Sequence, residues 1–265
     1  RNRPSPFAFP GNRFEFRMLG SAANIASANI ILNTAVAEEL KEFADRLETV
    51  KDVKSAAKRL VVRTFKKHDR IIFNGDNYSD EWVKEAEERG LYNLKNVPDA
   101  LKHYLDEKNV ELFTKNEVFT KEELTARYEV ELENYAKLIN IEALTMLDMA
   151  KKDIIPAVTR YIKTLTDTAL AKQSLSPVIP TSLERDLVTD LSKKLICFSD
   201  KVKELENDLI KAGEYAEDIQ AYADFYCYTV FADMQALRAI GDDMETQTAS
   251  DYWPYPSYGE MLFGV

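Results

Sequence analysis

Cysteine is nearly absent from this sequence. Cys197 and Cys227 are the two in 265 residues. Each falls inside a helical pattern, so they form neither a disulfide framework nor a Cys-x-x-Cys metal site. Buried free thiols in a reducing cytosol are the expectation. Histidine is as rare, and His68 and His103 lack metal-ligand spacing. Neither a histidine metal site nor a Ser-His-Asp triad is expected of this chain. Only 8 Gly and 9 Pro are present, which argues for long helices and few turns. No apolar run approaches the roughly 20 residues that cross a membrane, and no signal-peptide pattern is present. Basic charge is short too: the net charge of -10 disfavours nucleic acid as the main partner, because backbone binding needs a basic surface.

What is present is 45% hydrophobic and 30% charged sequence, enough for a sizeable core in one large domain or two smaller ones. After residue 20 the dominant signal is helical. Ile25, Ala28, Ile31, Leu32, Val36, Leu40 and Leu47 recur at three and four residues, which predicts a helix over 21–49 with Ser21 as its cap. A second helix is expected over 52–68. Its Lys66-Lys67-His68 end reads as a solvated face that complements the helix dipole. Asn74-Gly75-Asp76-Asn77 has turn chemistry, but Gly75 alone is no phosphate cradle. Ser79 can cap a short helix running to Gly90, and 99–105 reads as another. Residues 111–119 look weakly strand-like.

From Thr120 the chain reads as almost all helix. Thr120-Lys121-Glu122-Glu123 and Thr181-Ser182-Leu183-Glu184 both fit a capping box. Between them, Pro156 should kink or break a long stripe that runs from Leu124 to Val158. Leu183, Leu187, Leu191 and Leu195 form one ridge, which Phe198, Val202, Leu205 and Leu209 continue at near-heptad spacing. A third long segment, 214–247, carries Tyr222, Phe225, Tyr226, Val230, Met234 and Leu237; core packing explains that stripe better than a cofactor box does. Three such helices should pack as an antiparallel bundle. The end, 251–265, is too apolar for a free tail and should dock.

One stretch differs from all this. In Asn12-Arg13-Phe14-Glu15-Phe16-Arg17, strand alternation puts Phe14 and Phe16 on one side and Arg13, Glu15 and Arg17 on the other. Alone, such a row reads as surface ion pairs, which contribute little. Its flanks change the reading. Arg1-Asn2-Arg3 precedes it, and Gly20-Ser21-Ala22-Ala23-Asn24 follows it into a helix. The combination resembles the end of the catalytic domain of glutamine synthetases. Arg3-Pro4-Ser5-Pro6-Phe7-Ala8-Phe9, Arg70-Ile71-Ile72-Phe73-Asn74-Gly75, Tyr78-Ser79-Asp80-Glu81-Trp82-Val83, Ile141-Glu142-Ala143-Leu144-Thr145-Met146 and Trp253-Pro254-Tyr255-Pro256 look like the type III branch. Two departures from the common bacterial pattern, a shorter Arg3–Arg13 loop and Leu19-Gly20 in place of Pro-Asp, look like type III features.

The resemblance implies a C-terminal portion of a longer enzyme. It would be mainly α: a small β remnant of the catalytic domain over 1–110, then a long antiparallel helical bundle over 111–265 with a docked aromatic C-terminus. The implied reaction joins ammonia to glutamate with ATP through γ-glutamyl phosphate, using Mg²⁺ or Mn²⁺. The implied assembly is a cytoplasmic homo-oligomer, a dodecamer built from rings. Carried over by position, Glu15 matches a metal-ligand glutamate. Arg17 matches an arginine that contacts glutamate and the transferred phosphate. Arg13 and Arg3 match arginines on the nucleotide-phosphate side. Carboxylate suits a hard cation, and planar guanidinium forks suit carboxylate and phosphate. The remaining metal ligands and the adenine pocket would lie upstream, so the chain alone should be inactive. The alternative reading is a helical structural, oligomerisation or regulator-binding module without chemistry.

Overall fold

The computed structural model describes residues 24–73, 75, 79–256 and 258–263, with the backbone alone at 7–8, 15–16 and 258. Arg3, Arg13, Arg17, the Ser21 cap and most of the Asn74–Asn77 turn lie outside the described residues. The described chain is mainly helical, and no helix in it is long and apolar enough to cross a membrane. It divides into two units: residues 1–95 with 102–127, and residues 96–101 with 128–265.

The first unit begins with two short strands, β1 (Phe7–Ala8) and β2 (Glu15–Phe16). They pair antiparallel with Phe7 opposite Phe16 and Ala8 opposite Glu15. Helix α1 (Ala26–Leu47) starts where Asn24 Oδ1 accepts the Ala26 N–H at 2.8 Å. Helix α2 (Val53–Lys67) starts at Asp52, whose carboxylate accepts the Ser55 N–H at 3.1 Å. Ser79 caps α3 (Asp80–Glu88) through the Trp82 N–H, as expected. That helix ends at Gly90, whose φ of 71° needs a residue without Cβ. There the Leu91 N–H reaches the Ala86 carbonyl and the Gly90 N–H the Glu87 carbonyl, both at 2.9 Å, which satisfies two orphan carbonyls. Trp82 stacks on Phe73 at 3.7 Å between ring centres, with the Arg89 guanidinium over its ring.

The strand expected over 111–119 is absent. Helix α5 (Glu107–Lys115) occupies that stretch. The spacing of Val110, Phe113 and Thr114 is helical, and Phe113, 4% exposed, packs its ring against Phe119. The rest of the stretch is a turn, where Glu117 takes φ 54°.

Helix α6 (Lys121–Met149) carries the boundary between the units. Its capping box forms in both directions: Thr120 Oγ1 accepts the Glu123 N–H at 3.1 Å, and Glu123 Oε2 accepts the Thr120 N–H at 2.8 Å. Pro156 neither breaks the helix nor ends it. A π-helical segment, Ala150–Ile154, leads directly into α7 (Ile155–Leu175), and the Ile155 N–H bonds Ala150 one residue further back than α geometry allows. The wider turn accommodates a proline that lacks an N–H and crowds the carbonyl four residues earlier.

In the second unit α7 turns into α8 (Ser182–Lys211). Lys172 meets Glu184 beside the turn and Lys151 meets Glu206 at the far end, so the two helices run in opposite directions. The second capping box fails: the Thr181 side chain caps nothing, and Glu184 goes to Lys172 instead. A 3₁₀ turn, Ala212–Tyr215, leads to α9 (Ile219–Phe225), which Asp218 caps. A second π segment, Tyr226–Val230, joins α9 to α10 (Phe231–Glu245). The third long segment is therefore composite. The short helix α4 (Val97–Leu101) lies on α9, with the Pro98 carbonyl accepting from Gln220 at 3.3 Å.

The core gathers Leu191, Phe198, Val202 and Leu205 of α8 with Val158, Val230, Met234 and Leu237. Leu183, the first residue of the expected ridge, is 67% exposed instead, on the opposite side of the first turn of α8 from the buried Glu184. Cys197 is exposed on the solvent side of α8, and Cys227 is half-buried beside Tyr135; both are free. Trp253 packs against the core, Tyr252 shares a hydrogen bond with Thr164 at 2.8 Å, and Tyr255 donates to Asp153 at 2.9 Å. The last described element is α11 (Tyr258–Phe263), where Phe263 is 80% exposed.

Candidate functional sites

Of the four residues expected to carry chemistry, Glu15 alone is described, through its backbone. The antiparallel pair holds it opposite Ala8. Arg3, Arg13 and Arg17 lie outside the described residues. Among the described residues, no group of three or more His, Cys, Asp or Glu side chains could hold a metal ion.

The second unit contains an open groove of about 860 Å³ between α6 and α10. The composite segment of α9 and α10 runs in the same direction as α6, as two bonds before the groove show: Tyr128 donates to Gln220 at 2.9 Å, and Tyr226 donates to Asn140 at 3.1 Å. Small side chains make the depth. Ala150 and Gly241 line the groove, and a Cβ on Gly241 would reach the Phe198 ring at 3.4 Å. Met146, Met149 and Met234 supply soft apolar walls. Trp253 and Tyr255 border the groove near Asp153, and burial, with the Asp153 hydrogen bond added, pushes the Tyr255 hydroxyl up to about 12. Sequence reasoning missed this feature. Its signal was small residues set into apolar stripes, and a stripe does not reveal whether the space beside it is filled.

A carboxyl pair lies between α8 and α10. Asp208 is 8% exposed and bonds Lys211 at 2.7 Å, which holds its carboxyl below the usual range. Asp233 is pushed up to about 6, first by burial and then by the neighbouring Asp208 carboxylate; its Oδ2 is buried without a partner. Two carboxylates in contact cannot both ionise cheaply, so the pair holds one proton in mild acid. An Asp beside Met234 within an apolar stripe was the legible clue.

These features can be set beside known proteins. Residues 56–173, from α2 to near the end of α7, match the family described as the glutamine synthetase C-terminal domain. The chain is 37% identical to a glutamine synthetase of Butyrivibrio fibrisolvens over 100% of its own length and 38% of the relative's. It is 32% identical to a glutamine synthetase of Bacteroides fragilis over 99% of its length and 37% of the relative's. It is 31% identical to a type-3 glutamine synthetase of Dictyostelium discoideum, again over 99% of its length and 37% of the relative's. The chain thus spans less than two-fifths of the length of the curated relatives it matches.

Proposed function

We infer, from the match to the glutamine synthetase C-terminal domain and from the similarity to glutamine synthetases along the whole chain, that this chain is the C-terminal portion of a type III enzyme of that family. The observation that carries this is a similarity extending over the whole chain, helical region included. Residues 1–110 would complete a catalytic domain that begins upstream, and 111–265 would form a helical domain built as an antiparallel bundle.

The reaction is ATP-dependent joining of ammonia to glutamate. The γ-carboxylate attacks the terminal phosphorus of ATP, ADP leaves, and ammonia then displaces phosphate from γ-glutamyl phosphate. Such transfer needs positive charge fixed around the moving phosphoryl group. Arg17 would hold the substrate carboxylate and that group in two-point contact, with Arg3 and Arg13 on the nucleotide phosphates. Glu15 has the right donor chemistry for Mg²⁺ or Mn²⁺, which when bound neutralises phosphate charge. One carboxylate cannot hold such an ion, and the described residues add no cluster that could. The other ligands would come from upstream sequence. The assembly this reading implies is a cytoplasmic homo-oligomer, in the family manner a dodecamer. Within that enzyme the helical domain acts by assembly rather than chemistry.

The test compares the isolated chain with the enzyme made from its complete coding sequence. Only the latter should form glutamine from glutamate, ammonia and ATP. Glutamine synthesis by the isolated chain would overturn the division of labour.

A further inference from the structure

Asp233 lies in the first turn of α10, directly after the π segment Tyr226–Val230, and its carboxyl faces Asp208 on α8. Its Oδ2 is buried without a hydrogen-bond partner. Asp208 is 8% exposed and takes Lys211 at 2.7 Å, which keeps it the ionised member. The proton of the pair therefore sits on Asp233. With that proton, an O–H···O bond to a carboxylate crosses the seam between the helices, a strong kind of hydrogen bond. Without it, two like charges and an unpartnered oxygen share a buried seam, a cost that parting of the seam relieves.

The charges that face Asp233 come from α8: Asp208, Glu204, Lys201 and Lys211. Both lysines are engaged, Lys201 by Glu204 at 2.5 Å and Lys211 by Asp208, so neither replaces the proton. Beyond Lys211 the next charge is Glu214, on the 3₁₀ turn. The π segment, Tyr-Cys-Tyr-Thr-Val, holds no charged side chain. Val230, Ala236 and Leu237, one turn from Asp233 on its own segment, are apolar.

The same residues set how far the seam can part. Val230 and Leu237 are 0% and 1% exposed, so both flanks are fixed in the core. Between them lies about one turn of helix. It begins where the Phe231 N–H reaches back five residues to the Tyr226 carbonyl, and such wide turns are places where a helix adjusts. Phe231 and Met234 of that turn also line the groove beside α6.

We propose that the Asp208–Asp233 pair is a proton-operated latch: protonated, it ties the first turn of α10 to α8, and ionised, it lets residues 231–236 open locally while both flanks stay packed. The groove wall formed by Phe231 and Met234 then loosens with it. Burial and the Asp208 carboxylate put folded Asp233 at about 6, against 3.8 for an ordinary Asp, so the tie is present in mild acid and lost as pH rises through about 6. That difference caps the change in local opening at about a hundredfold. The latch does not depend on the catalytic reading.

Hydrogen exchange read by mass spectrometry on the complete enzyme tests it, at about pH 5 and about pH 7.5, with each rate corrected for the intrinsic exchange of the amide. In the unaltered enzyme, the peptide over 231–236 should exchange at least about tenfold faster at the higher pH, and a peptide over 187–194 should not change. Asp233→Asn should exchange slowly at both, because its amide donates to Asp208 without titrating. Asp208→Asn is the second variant and should also remove the pH dependence, because its amide can donate to ionised Asp233. A corrected rate over 231–236 that ignores pH, a rise that extends equally to 187–194, or folded variants as pH-sensitive as the parent would each overturn the proposal.

Discussion

The two units use the same kind of sequence to different effect. In the first, α1 and α2 have clear apolar faces but bury a single side chain between them, Thr34, which bonds the Ile30 carbonyl at 2.7 Å. Leu40 and Phe65 are 60% and 62% exposed. In the second, stripes of similar composition close on one another, and Leu191, Leu205, Leu237 and Met244 are essentially inaccessible. Periodicity reports that a helix has a face to bury. It does not report whether the partner lies in the same chain. Helical stability in water comes mostly from packing of that face, so the second unit should carry most of the stability.

The largest expected effect tests that contrast. Leu191→Ala or Leu205→Ala should cost about 2–5 kcal/mol in urea melts, the usual range for emptying a packed core site. Leu40→Ala or Val36→Ala should stay within about 0.5 kcal/mol, as surface changes do. Equal losses in the two units would abolish the distinction.

Next comes the boundary helix. Thr120→Ala removes one half of the reciprocal cap at the start of α6, which typically costs about 1 kcal/mol. Thermal unfolding of this variant beside Thr181→Ala sharpens the point, because the Thr181 hydroxyl caps nothing and its loss should matter less.

The carboxyl pair gives a smaller, pH-dependent effect. The folded pKa of Asp233, about 6, lies above the ordinary carboxylate value, so the folded state holds a proton that the unfolded chain has released. That contribution is fully present below the unfolded pKa and is lost as pH rises from about 4 through 6. The charges facing it are Asp208, Glu204, Lys201 and Lys211, all on α8. Asp233→Asn should flatten the fall in melting temperature over that window and stabilise the chain at pH 7. A variant as pH-sensitive as the parent would show that Asp233 is not the titrating group. Smallest of all, Lys163→Ala breaks an ion pair with Asp167 whose partners are 77% and 60% exposed. It should shift stability by no more than about 0.5 kcal/mol.

Local chemistry was the legible part of the sequence. The caps at Ser79 and Thr120 and the glycine end of α3 follow from residue types at fixed offsets, and the docking of Trp253 from the apolar composition of the end. Failures came where a distant group outbid a local one. Glu184 turns from its capping box to Lys172, and of the two outcomes open at Pro156, a kink or a break, a π turn removes the break. Phe113 sits on a helix because its burial against Phe119 outweighs a weak strand propensity. Of the candidate catalytic residues, sequence supplied the identities of Arg3, Arg13, Glu15 and Arg17, and the fold adds only the pairing of Glu15 with Ala8. On the proposed reading their chemistry would need further ligands that no local pattern here encodes.

The central claim is that one carboxylate, Glu15, serves chemistry while the helices serve assembly. Its most direct test is turnover of the complete enzyme carrying Glu15→Gln, titrated with Mg²⁺ and measured beside its oligomer mass. The expected result is an unchanged mass with most of the activity gone at saturating metal, since a neutral amide is a poor ligand for a hard cation. Near-normal turnover in a correctly assembled enzyme would contradict the account.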